Sequence, residues 1–162
     1  MKIQMMKAAL AASVVALGMS ALSAQAATAT ADARATILAP VVVTKTSDLE
    51  FGVIANGTSG GTVTVSTAGA RTCGAGLVCS GAVTAAGFGV AGVTAQTVGI
   101  SVPANVTLNG GGSSMTATLS SSDTTIVLDG TDAFTVGGVL TVGAAQAAGA
   151  YTGTFTVTVN YQ

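Results

Sequence analysis

From Thr154 to Tyr161 the chain alternates without a break. Phe155, Val157, Val159 and Tyr161 fall on one face, and Thr154, Thr156, Thr158 and Asn160 fall on the other. A period of two in β-branched and aromatic residues marks a half-buried β-strand. Only Gln162 follows it in the sequence, so no adjacent hairpin is expected to pair with it. Its partner is expected from far upstream or from another molecule, because an unpaired strand edge is a template for pairing.

A second stretch alternates just as strictly. Across residues 27–39, Ala29, Ala31, Ala33, Ala35 and Ile37 share one face, while Thr28, Thr30, Asp32, Arg34 and Thr36 share the other. Burying alanines gains little by itself, since each removes little apolar area. Small side chains do let a strand lie close in a narrow groove. Pro40 cannot donate to a ladder and separates this extension from the body of the chain. A donor strand is read here in preference to a disordered leader, which would not require the alternation.

Upstream lies an export signal. Lys2 and Lys7 precede the apolar run Ala8–Leu17, and Ala24-Gln25-Ala26 offers small residues for cleavage after Ala26. The apolar run is far short of the ~20 residues a membrane helix needs. The mature chain, residues 27–162, is expected to be one domain with no membrane span, exported through the inner membrane. It carries three basic residues, Arg34, Lys45 and Arg71, against six acidic ones. A nucleic-acid partner would need a basic stripe, and none is present. An anionic membrane surface is disfavoured for the same reason. So few charges suit a subunit whose surface is largely covered by neighbours in a polymer.

Between the two alternating stretches the sequence reads as an all-β meander. Strands are expected at Val41–Thr44, Leu49–Ile54, Thr62–Ser66, Thr94–Val102, Asn105–Leu108, Met115–Ser120, Thr125–Leu128 and Ala133–Val142. Asn56-Gly57, Gly110–Gly112, Asp129-Gly130 and Gly137-Gly138 read as turns. Many short strands without a repeating unit suggest a sandwich rather than a solenoid. Cys73 and Cys79, separated by five residues in an exported chain, read as a disulfide closing a small ring. With no histidine, Ser-His-Asp, Cys-His and imidazole metal sites are excluded. Asp123, Asp129 and Asp132 read as turn formers rather than calcium ligands. No catalytic function, metal or cofactor is read from the chain.

The C-terminal stretch resembles that of chaperone–usher fimbrial subunits. Those end in an alternating strand with a penultimate tyrosine, here Tyr161, and a glycine fourteen residues from the end, here Gly149. The longer run TVGAAQAAGAYTGTFTVTVNYQ, with SDLEFG upstream, is similar to a bacterial pilin-like family known as a domain of unknown function. The resemblance implies an immunoglobulin-like pilin sandwich, residues 40–162, completed by a donor strand from a neighbouring subunit. Ala29, Ala31, Ala33, Ala35 and Ile37 would be donated. Gly149, Phe155, Val157, Val159, Tyr161 and Gln162 would form the acceptor and chaperone-binding strand. It further implies a homopolymer, a periplasmic chaperone that grips the C-terminal carboxylate, and an outer-membrane usher. The filament would be extracellular, serving surface attachment or biofilm. Fimbrial subunits usually join more distant strands by their disulfide, so the Cys73–Cys79 spacing departs from that pattern. Two other readings stand beside this one: a monomeric secreted β-sandwich binding domain, and a functional-amyloid or matrix protein.

Overall fold

The computed structural model describes residues 26–162; apart from Ala26, the signal-peptide reading over residues 1–26 lies outside the described residues. The chain divides into two units, with the boundary between Ala35 and Thr36. Of the first, residues 26–35 form no strand and have exposed side chains, and Arg34 is ion-paired with Asp32 at 3.1 Å.

The second unit, Thr36–Gln162, is all-β, with no helix among the described residues. Its strands are β1 (Val42–Ser47), β2 (Val53–Asn56), β3 (Gly61–Val65), β4 (Arg71–Cys73), β5 (Leu77–Ser80) and β6 (Ala86–Ala91). Then come β7 (Thr97–Ser101), β8 (Asn105–Gly110), β9 (Ser113–Ser121), β10 (Thr125–Val127), β11 (Asp132–Val142) and β12 (Thr158–Tyr161). A large sheet joins β1, β6, β11, β3 and β4, with β9 and β8 added along β11. A second sheet has the order β10-β7-β12, and β2 pairs with β5 apart from both.

β11 organises the large sheet. Asp132–Val136 pairs with β6, Gly138–Val142 with β3, and Val136–Thr141 with β9. Phe134, Val136, Leu140 and Val142 are buried along one face, as a period of two requires. The glycine pair in its middle is not the turn that its composition suggests. A Cβ on Gly137 would stand 2.5 Å from the Val65 carbonyl oxygen and 2.8 Å from the Thr67 nitrogen. Only a residue without a Cβ lets the end of β3 approach so closely, and at this point β11 exchanges one partner for the other.

The core draws on both larger sheets. Phe88 and Val90 of β6, Val63 and Val65 of β3, and Ala117 and Leu119 of β9 join the β11 residues, with Val98 of β7 and Leu128 opposite. Phe88 and Phe134 stack with ring centroids 5.2 Å apart, at the Phe134–Phe88 pair of the ladder. The core is otherwise mainly aliphatic, and the stacked aromatic pair adds about 1 kcal/mol beyond the area it buries.

Several expected strands change their bounds. The Leu49–Ile54 strand is split: Glu50 makes an isolated bridge to Thr84, Gly52 turns at φ +80°, and the ladder resumes at Val53. Thr94–Val102 shortens to β7, because Ala95 lies in a turn with φ 62°. β6, with its glycines at 87 and 89, is a central strand that the meander reading did not include.

Candidate functional site

The C-terminal run keeps its alternation but not its ladder. Phe155, Val157, Val159 and Tyr161 are half-buried, and the residues between them are exposed. Thr158–Tyr161 pairs with β7 in the register Val159↔Ile100. Upstream, Thr152 exchanges two backbone hydrogen bonds with Asn109. Between them, residues 153–157 belong to no ladder among the described residues. The strand expected from Phe155 therefore begins at Thr158. Its apolar face is still against the core, with the Phe155 ring edge-on to Phe88 at 6.3 Å.

A second unpaired edge lies alongside. β1 pairs with β6 on one side, and no ladder forms on its other side among the described residues. Val41 and Val43 are half-buried against the same core as Phe155 and Val157. Three contacts fix how the two segments run. At one end Tyr161 Oη donates to the Ala39 carbonyl at 3.0 Å and accepts from the Val93 amide at 2.8 Å. In the middle Phe155 meets Phe88, which stands opposite Lys45 in the β1–β6 register. At the far end residues 49–55 and 146–151 line the same cavity. The two segments thus run antiparallel, one as 39→55 and the other as 161→146.

That cavity measures about 600 Å³. Its apolar lining comes from Leu49 and Phe51 on one wall and from Leu108, Met115, Leu140 and Val142 on the floor. The strap Gly143–Tyr151 closes the other wall. The Tyr151 hydroxyl holds the strap in place: it donates to Ala147 O at 2.7 Å, accepts from Gln146 Nε2 at 2.9 Å, and lies 2.8 Å from Ser113 Oγ. Gly149, which lines the cavity, has φ +154°, and a Cβ there would stand 3.0 Å from Gly111 Cα. The glycine expected in the acceptor strand is therefore needed where the strap crosses the β8–β9 turn. Gln162 has an exposed side chain, and its amide donates to Thr97 O at 3.0 Å.

The donor-strand residues Ala29, Ala31, Ala33 and Ala35 are exposed in the short first unit. Ile37, at the start of the second, is 95% exposed. Cys73 and Cys79 are bonded, with Cα atoms 6.0 Å apart. The bond reaches further than a loop closure, since β4 belongs to the large sheet and β5 pairs with β2. The aspartates serve turns: Asp132 Oδ2 accepts from the Asp129 and Gly130 amides at 2.8 and 3.1 Å, and Asp129 Oδ1 from the Thr131 amide at 3.0 Å.

Sequence reasoning expected strands at Val41–Thr44 and Leu49–Ile54 but missed the cavity and the placement of these segments beside the tail. Val41, Val42 and Val43 are a continuous apolar run, so the sequence does not report which side of β1 is buried. The placement beside the tail depends on chain segments a hundred residues apart in the sequence, which no local pattern reports.

Fold and site together define a class: an all-β domain in which β1 and residues 153–157 each have an edge without a ladder among the described residues. The chain matches the family described as a domain of unknown function (DUF4402) over residues 41–161, and it belongs to that family. No curated protein and no solved structure matches it.

Proposed function

We propose that the chain is the structural subunit of an extracellular fimbria, an immunoglobulin-like sandwich completed by residues 27–39 of a neighbouring copy. The observation that carries the reading is the half-buried strip Phe155, Val157 and Val159, whose backbone at 153–157 has no ladder, beside the free edge of β1. A strand laid along it would supply hydrogen bonds to the open backbone and cover the apolar strip at once. The extension 27–39 has the alternation for that role, and small side chains to enter between two strands. The export signal and the low charge agree with an assembled extracellular subunit. A periplasmic chaperone that occupies the same line during export, and an outer-membrane usher, follow from the resemblance to fimbrial subunits.

The test is self-assembly of the mature chain, residues 27–162, followed by size-exclusion chromatography and electron microscopy. Filaments are expected, and a chain lacking residues 27–39 should not form them but should cap growth when mixed with the full one. A stable monomer under all assembly conditions, indifferent to an added ATATADARATILA peptide, would refute the proposal in favour of a monomeric binding domain.

A further inference from the structure

No side chain among the described residues fills the 600 Å³ cavity, and one exposed residue of the chain matches it in chemistry. Ile37 is 95% exposed and is the only large side chain on the alternating face of residues 27–37. An isoleucine left in water while a cavity with an apolar floor stands open leaves burial unused on both sides. Ile37 of the same chain is at the wrong end. It lies two residues before Ala39, whose carbonyl is bonded to Tyr161. The cavity lies at Tyr151 on one wall and at Leu49 on the other, ten residues along each from that bond. Two residues span about 7 Å, whereas ten extended residues cover on the order of 30 Å.

We propose that the cavity is the seat for Ile37 of a second copy, and that this contact sets both the direction and the register of the inserted strand. The inference rests on the donor-strand reading above. With Ile37 beside Tyr151, an antiparallel strand places Ala35 beside Gly153, Ala33 beside Phe155, Ala31 beside Val157 and Ala29 beside Val159. Every donated residue then faces the same way as its neighbour in the tail. Ala33, Ala31 and Ala29 meet the bulky Phe155, Val157 and Val159, Ala35 lies beside Gly153, and the one bulky donor residue meets the cavity. Size is complementary at Ala29, Ala31, Ala33 and Ile37, as close packing requires. The reverse direction would put Ile37 beside Tyr161, whose hydroxyl already serves Ala39 and Val93, and alanine would face the cavity.

Cysteine pairs in the full mature chain read out the register, since a disulfide forms only between Cα atoms within about 7 Å. Assembled chains carrying Ala29→Cys with Val159→Cys should give a ladder of intermolecular disulfides on a non-reducing gel. Chains carrying Ala35→Cys with Val159→Cys should give none. A ladder from the second pair alone overturns the register while leaving strand donation standing. Absence of any ladder in folded protein overturns strand donation and the register with it. Ile37→Ala tests the seat without touching the folded subunit, because the side chain is exposed in the free chain. Self-association should weaken on the order of fiftyfold, and only a few-fold in Ile37→Val. Unchanged self-association in Ile37→Ala would overturn the assignment of the cavity.

Discussion

Tyr161→Phe removes one oxygen and keeps the ring. The hydroxyl joins three chain segments, accepting from the Val93 amide at 2.8 Å and donating to Ala39 O at 3.0 Å. The two losses are unequal. Ala39 is exposed, so water replaces the hydroxyl at its carbonyl at little cost. Val93 is half-buried, and its amide loses a well-placed acceptor. An N–H left without a partner in such surroundings costs about 1–2 kcal/mol. With a urea m-value on the order of 2 kcal/mol/M, the unfolding midpoint should fall by about 0.5–1 M with the slope unchanged. Equilibrium unfolding of the unassembled mature chain gives the midpoint, and amide hydrogen exchange gives the location. Val93 should exchange faster, while the Val98 and Ile100 amides in the β7 ladder stay protected. Tyr161→Ala, which also removes the ring packed over Gly92 and Leu128, should cost about 3–5 kcal/mol. If Tyr161→Phe leaves both the midpoint and the Val93 exchange rate unchanged, the hydroxyl is not the acceptor that holds the Val93 amide, and the reasoning about its burial fails.

Gly137→Ala should destabilise the domain by about 1–3 kcal/mol in thermal or urea unfolding, since its Cβ meets rigid backbone of β3. Gly89→Ala, whose nearest neighbour would be Thr44 O at 3.9 Å, should be neutral or stabilising by up to about 1 kcal/mol. Equal effects at the two positions would show that β3 does not press on β11. Replacing both Cys73 and Cys79 by serine should lower stability by about 2 kcal/mol, as expected for so short a closed loop. Mass mapping should find the bond within one chain, and a bridge between chains would contradict it.

The elements legible in the sequence were those contained in one local pattern. β8, β9 and β11 are long alternating runs separated by glycine or aspartate turns, and they fold close to the bounds their patterns give. β6 was not legible, because Gly87 and Gly89 imitate loop composition. Yet Ala86, Phe88 and Val90 alternate with them and are all buried, and period two was the available signal. Glycine is tolerated there because β1 bulges between Lys45 and Ser47 and brings the Thr46 and Ser47 hydroxyls onto Gly87. Gly137-Gly138 misled in the opposite direction, since close approach of another strand calls for the same residue as a turn does. At the candidate site the face of the tail was legible and the extent of its pairing was not. Alternation reports which side is buried, whereas a ladder depends on a partner that the local sequence does not contain.

The three partners of β11 have a consequence for the order of events as the chain becomes available to fold. β3–β4 and β8–β9 are hairpins that close locally. Joining β3 and β6 to β11 requires Gly138 to find Val65 and Phe134 to find Phe88, across about seventy and about forty-five residues. Such distant closures are slow, because chain entropy is lost before the contacts form. Until Asp132–Val142 arrives, β3, β6 and β9 each hold an open edge, the state in which β chains aggregate. A chain delivered from its N-terminus therefore passes most of its length with its sheet unassembled, and one late strand closes three edges together.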